Sequence, residues 1–128
     1  MDIVISTDSI GINYLKEKSN NKDDGYEYFI LKKRPKRLKI RNNVFVCCDE
    51  RIQGRYKVMA IEEIDEDTMQ QTKGILWQSI GKMCLTVLPQ YWFEKPIVYK
   101  KKIGCQSWKY FDMTKYCLKQ GFGYEYSS

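Results

Sequence analysis

The densest chemical signal in the chain is a run of cations between residues 32 and 41, here called the basic segment. Its basic members are Lys32, Lys33, Arg34, Lys36, Arg37, Lys39 and Arg41, and the aromatic residues Tyr26, Tyr28 and Phe29 precede it. Clustered cations bind nucleic acid by releasing counterions from the phosphates, and aromatic rings can stack on bases. The basic segment therefore predicts a nucleic-acid interface. The alternative is a solvated, charged edge that prevents aggregation.

A second candidate group lies near the C-terminal end, where Trp108, Lys109, Tyr110 and Phe111 follow Gly104. Indole and phenol rings at the rim of a pocket can hold a nucleobase by its π-face. Packing in the hydrophobic core is the alternative for each ring, because aromatic side chains dominate most cores. Lys100, Lys101 and Lys102 add further positive charge just before this group.

Residue types exclude several kinds of site. The sequence has no histidine, which excludes the Ser-His-Asp triad, a Cys-His dyad and His-ligated zinc. The cysteines have neither zinc-ligand spacing nor an even count, and we predict free thiols, no metal site and no cofactor. Cys105, after the three lysines, is the one candidate nucleophile. The cysteines are Cys47, Cys48, Cys84, Cys105 and Cys117.

Composition indicates a folded, basic chain. It has 128 residues, of which 43% are hydrophobic, and a formal net charge of +6 from 22 basic and 16 acidic residues. This size and composition predict a single domain over residues 1–128. We expect a cytoplasmic protein with no membrane partner, because no apolar run approaches the roughly 20 residues of a membrane span and the start does not resemble a signal peptide.

Hydrophobic patterning positions these groups on short strands and helices. We predict a helix at about residues 9–18, a turn at 49–52, and an acidic, solvated loop in the region of residues 62–67. Strands are expected near residues 3–5, 26–30, 44–48, 54–64, 75–77, 83–88 and 96–99, with a bend around residues 92–96. Many short strands with one or two helices predict an α+β domain whose antiparallel sheet is closed or strongly curled.

The order of these elements resembles the PUA-like superfamily, which includes the ASCH, EVE and YTH domains. A strand ends in small polar residues at Ser6 and Thr7, and Asn42-Asn43-Val44 stands where these families often carry Gly-Asp-x-Val. Ile52–Val58 is similar to their x-Gly-x-φ-x-Val strand. The segment Gly104–Phe111 is similar to a Gly-x-Trp-Arg-Tyr motif, with Lys109 in place of Arg. The resemblance covers about residues 2–112.

The resemblance implies a small β-barrel flanked by helices, with a cleft beside the first strand that binds RNA or a modified or flipped nucleobase. Ser6 and Thr7 match the polar strand end that borders this cleft, and Trp108, Lys109 and Tyr110 match the motif that closes it. The basic segment occupies the place of the ASCH basic strand. These residues form the predicted base pocket and phosphate-contacting strip.

Three functions follow from these observations. The leading prediction is a non-catalytic nucleic-acid-binding module, with RNA favoured. A small ASCH-like hydrolase of modified nucleosides is the second, with Lys32 or Lys33 acting beside Thr7 and either Glu62 or Glu63. The third is a protein-interaction module that binds an acidic partner through the basic segment. A deep aromatic cleft would favour the first two functions, and a flat basic face would favour the third.

Overall fold

Strands and two short helices alternate along the chain in the computed structural model, which describes residues 1–19, 25–64, 83–103 and 107–119. The helices are α1 (Ser9–Ser19) and α2 (Met113–Lys119). The strands are β1 (Ile3–Ser6), β2 (Glu27–Leu31), β3 (Asn43–Cys48), β4 (Arg51–Glu63), β5 (Met83–Val98) and β6 (Trp108–Tyr110). The strand expected at 75–77, residues 65–67 of the acidic loop and Cys105 lie outside the described residues.

One six-stranded sheet in the order β2-β5-β4-β3-β1-β6 contains all these strands. β1 runs parallel to β3, and the other neighbouring strands are antiparallel. Register shifts interrupt the β3–β4 pairing once and the β4–β5 pairing at three places. Such bulges bend a strand and increase its twist. The sheet is a strongly curled half-barrel with two short helices, which confirms the predicted α+β class.

β5 is a single strand, so the prediction of separate strands at 83–88 and 96–99 is wrong. β4 pairs with it from the Arg51–Val98 pair to the Glu63–Met83 pair, and the register skips residues 93–96, within the region where a bend was predicted. Its two prolines, Pro89 and Pro96, lie at or beside register shifts in this pairing. A missing N–H donor is tolerated at a bulge, and the strand therefore continues through residues that interrupt its sequence pattern.

Strand alternation divides most of the core into two clusters on opposite faces of the sheet, beside a small third cluster of Ile64 and Cys84. Ile3 and Ile5 of β1 pack with Ile12 and Leu15 of α1. Val4, between them, packs with a second cluster that includes α2. Cys48 belongs to the first cluster and Cys47 to the second, as predicted for adjacent residues of a strand. Each helix thus covers one face of the sheet.

The β3–β4 hairpin turns at Asp49 and Glu50, whose φ angles of 53° and 60° are both positive. Two consecutive residues of this kind are typical of the two-residue turns whose twist matches that of paired strands. The carbonyl oxygen of Glu50 accepts a hydrogen bond from the backbone N–H of Tyr99 at 2.7 Å. The turn is therefore shorter than predicted, since β4 already begins at Arg51.

Candidate nucleic-acid interface

The basic segment connects β2 to β3 and holds its cations outward. All seven of its Lys and Arg residues are exposed, whereas Pro35 and Leu38 are buried. Leu38 retains only 4% of its exposure, and its N–H donates to the carbonyl oxygen of Pro35 at 3.0 Å. Two apolar residues thus attach the segment to the core, and the charged side chains are left at the surface.

β6 fixes the middle of the basic segment through two hydrogen bonds. The indole Nε1–H of Trp108 donates to the carbonyl oxygen of Lys33 at 2.8 Å. The backbone N–H of Arg37 donates to the hydroxyl oxygen of Tyr110 at 2.9 Å, and the Arg37 guanidinium lies 5.3 Å from the centre of that ring. The rings of Trp108 and Tyr110 meet edge to face, with their centres 4.6 Å apart.

Asn42 and Arg41 fix the end of the segment. The side-chain oxygen of Asn42 accepts a hydrogen bond from the N–H of Lys39 at 2.8 Å. The N–H of Arg41 donates to the carbonyl oxygen of Val58 on β4 at 2.7 Å, and its φ angle is 77°. The backbone of the segment is therefore held by contacts with β6 near its middle and with β4 at its end.

The five predicted pocket residues lie together where β1 meets β6, but on two faces of the sheet. Ile5 pairs with Trp108 and Ile3 with Tyr110, and both rings are half-buried on the α1 face. Period-two alternation places Thr7 on this same face. It places Ser6 and the exposed Lys109 on the opposite face.

Thr7 is held against the first turn of α1. Its N–H donates to the carbonyl oxygen of Cys47 at 2.9 Å. A Cβ atom on Gly11 would lie 2.1 Å from the Thr7 Oγ1 atom, so glycine provides the space for this side chain. The Gly11 N–H donates to Asp8 Oδ1 at 2.7 Å, which caps the helix. The close approach of the Thr7 side chain thus explains why glycine, a weak helix former, lies in the first turn of α1.

A buried ion pair lies at the other end of α1 and was not predicted. The Oε2 atom of Glu27, which is 4% exposed, lies 3.3 Å from the Nζ atom of Lys18. Burial is the largest single influence on the pKa of Lys18 and lowers it, but the charges and hydrogen bonds of Glu27 and Tyr14 together raise the pKa above its usual value. Burial and the same carboxylate raise the pKa of Tyr56. Glu27 lies on the same face of β2 as the buried Phe29, and this alternation was the sequence signal that could have predicted the burial of Glu27.

The residues proposed for a hydrolase are spread along the sheet. Thr7 bonds to Cys47, which pairs with Ile52 near the start of β4. Glu62 and Glu63 are exposed at the far end of that strand, roughly 30 Å along its path at about 3.3 Å per residue. Within the described residues, no hydrogen bond joins Thr7 to either glutamate, to Lys32 or to Lys33.

The four cysteines that the structure describes are free and buried: Cys47, Cys48, Cys84 and Cys117. Burial raises the pKa values of Cys47 and Cys84 to about 11. A protonated thiol is a poor nucleophile and metal ligand. Within the residues that the structure describes, no group of His, Cys, Asp or Glu side chains is arranged to bind a metal ion. Neither of the two described helices is long and apolar enough to cross a membrane.

Comparison with known proteins gives matches among solved structures. No family model matches the sequence, and no curated protein sequence matches it. A mutant of the ZmASCH protein from Zymomonas mobilis aligns with a TM-score of 0.61 and 12% identity over 96% of this chain and 99% of its own. A second mutant gives 0.56 and 13%, over 93% and 95%. At this identity the match establishes the fold, and it confirms the ASCH-like fold that the sequence predicts.

Proposed function

We propose that this chain binds single-stranded nucleic acid, with RNA favoured over DNA, through the basic segment and the neighbouring rings of β6. One observation carries the proposal. The exposed cations of the basic segment are attached by their own backbone to the half-buried rings of Trp108 and Tyr110. Charges suited to phosphates therefore lie beside rings suited to bases.

The two sets of residues have different roles. The cations contribute affinity without base preference, because phosphate is the same at every position. The Trp108 N–H already donates to Lys33, so this ring offers stacking rather than hydrogen bonding to a base. Thr7, on the same face of the sheet, supplies the polar group for a base edge. The ASCH-like fold supports RNA as the ligand, since the family resemblance implies RNA or a modified base.

The test is salt-dependent binding of a fluorescent single-stranded RNA. About three to five phosphate contacts give a slope of roughly −2 to −3.5 in log affinity against log salt. Lys33→Gln with Lys36→Gln should make this slope smaller by about 1.4, at about 0.7 for each lost contact. A DNA strand of the same sequence should bind more weakly, because it lacks the 2′-hydroxyl groups.

The control removes two exposed lysines elsewhere, by Lys16→Gln with Lys95→Gln. This control variant loses the same number of positive charges as Lys33→Gln with Lys36→Gln. Its salt slope should equal that of the unmodified protein within error. An equal effect of both double variants would assign binding to net charge and reject the interface. Absence of binding to RNA and DNA at low salt would reject the function and favour an acidic protein partner for the basic segment.

A further inference from the structure

A groove of about 580 Å³ lies on the α2 side of the sheet, outside the basic segment. The end of β6, the connection that follows β5, and α2 form its walls. Its lining includes Lys101, Tyr110, Phe111, Lys115, Tyr116 and Lys119. This volume is within the range of sites that hold small organic molecules, and it can receive a base with its sugar and phosphate.

Aromatic rings form the groove's apolar part. Phe111 and Tyr99 are buried, and Tyr116 is half-buried. The ring centre of Tyr116 lies 5.4 Å from that of Tyr99 and 5.4 Å from that of Phe111. The hydroxyl group of Tyr116 also donates to the carbonyl oxygen of Val98. These contacts hold Tyr116 in place before a ligand arrives, which lowers the entropy that binding costs.

Positive charge surrounds these rings. Lys101, Lys115 and Lys119 line the groove, and all three are exposed. Asp112 is the acidic residue among the described lining, and its Oδ1 atom accepts a hydrogen bond from the backbone N–H of Lys115 at 3.0 Å. Lys100 and Lys102 are also exposed beside it. The groove therefore favours a polyanion that also has flat, stackable groups.

β6 joins this groove to the basic segment. Tyr110 contributes to the lining of the groove, although its ring lies on the α1 face, where its hydroxyl oxygen accepts the Arg37 N–H and the Arg37 guanidinium lies over the ring. β6 is the last strand of the sheet, so both faces can be reached around its edge. Lys109, which precedes Tyr110, is exposed on β6. Exposed cations thus flank the β6 edge of the sheet on both faces, from the basic segment through Lys109 to α2.

We infer that the groove is a second contact site for the same strand, so that one single-stranded nucleic acid crosses β6 and occupies both surfaces. The inference rests on the proposed function and extends its footprint. Charge complementarity selects a polyanion, and the half-buried ring of Tyr116 can contact a base. Continuity with the cations of the basic segment around β6 favours the same strand over a separate acidic partner.

The experiment compares strand lengths. We choose single-stranded RNAs of about 4 and about 16 nucleotides, which span the site sizes of single-strand binding domains. Each RNA is titrated with the unmodified protein and with the double variant Lys115→Gln, Lys119→Gln. The short strand should bind both proteins equally. For the long strand, loss of two contacts should make the salt slope smaller by about 1.4. A fourfold rise in salt concentration should therefore reduce the affinity of the variant by a factor about seven times smaller than the factor for the unmodified protein.

Lys16→Gln with Lys95→Gln is again the control of equal charge, and it should behave like the unmodified protein at both lengths. Unchanged long-strand binding by the groove variant would overturn the inference, and so would an equal loss at both lengths. The proposed function fails separately. If Lys33→Gln with Lys36→Gln leaves short-strand binding intact, the basic segment is not the primary interface, whatever the groove variant does.

Discussion

Gly54 is a single residue on which the close packing of β4 against β5 depends. A Cβ atom there would lie 2.6 Å from Trp92 Cε3 and 2.9 Å from the carbonyl oxygen of Tyr91. Trp92 has little freedom to move, because its Nε1–H donates to Ser19 Oγ at 2.9 Å and its ring packs edge to face on Tyr56. Glycine is therefore required by the close approach of β4 and β5.

Gly54→Ala should lower the free energy of unfolding by about 1 to 3 kcal/mol, the usual cost of overpacking a core. Urea denaturation followed by tryptophan fluorescence measures this. Gly25→Ala is the matched control, since its Cβ would approach only the flexible Leu88 side chain, at 3.1 Å. A loss for Gly54→Ala no larger than that for Gly25→Ala would contradict the packing argument.

At the scale of elements, the hydrogen bonds between β6 and the basic segment determine how well the candidate interface is ordered. Trp108 and Tyr110 contact residues more than 70 positions away in sequence. The segment has few other buried side chains, so loss of one such bond should increase its local opening. The consequence is measurable, because the segment contains trypsin cleavage sites.

Trp108→Phe should increase trypsin cleavage within residues 32–41 by roughly two- to tenfold, the equivalent of one hydrogen bond of about 0.5 to 1.5 kcal/mol. Mass spectrometry of early fragments locates the cuts. Trp92→Phe is the control, because it also removes an indole hydrogen bond, here to Ser19, but away from the segment. If both variants are cleaved there at the same rate, Trp108 does not order the basic segment.

Local sequence patterns predicted the secondary-structure elements better than the contacts between those elements. Continuous apolar runs located β1 and β3, which are buried on both faces, and apolar alternation located β4. It did not show that β5 continues through Pro89 and Pro96, since the register shifts that accommodate them depend on β4. The exposed cations were evident from composition, whereas the Trp108–Lys33 and Lys18–Glu27 contacts arise only when distant elements meet. The groove at α2 was missed for the same reason.

At the scale of the whole molecule, the pKa values of buried cysteine and tyrosine side chains on both faces of the sheet are shifted in the same direction. Burial raises the pKa values of the Cys47 and Cys84 thiols to about 11 and also raises those of Tyr56 and Tyr99. Lys18 also has a raised pKa, because the charges and hydrogen bonds of Glu27 and Tyr14 together outweigh burial. In every case the folded state binds its proton more tightly than the unfolded chain.

Stability should therefore fall with rising pH above about 9, the value at which an unfolded cysteine begins to lose its proton. A raised pKa contributes stability that is complete below the unfolded value and is lost as the pH passes through the folded value, here near 11 for Cys47 and Cys84. Urea midpoints at pH 8, 9, 10 and 11, under reducing conditions, should decline steadily over the last three.

Cys47→Ala with Cys84→Ala removes two of these groups, so its midpoint should start lower and decline less steeply between pH 9 and 10. A flat profile for the unmodified protein, or the same slope in the double variant, would show that these thiols do not govern its alkaline stability.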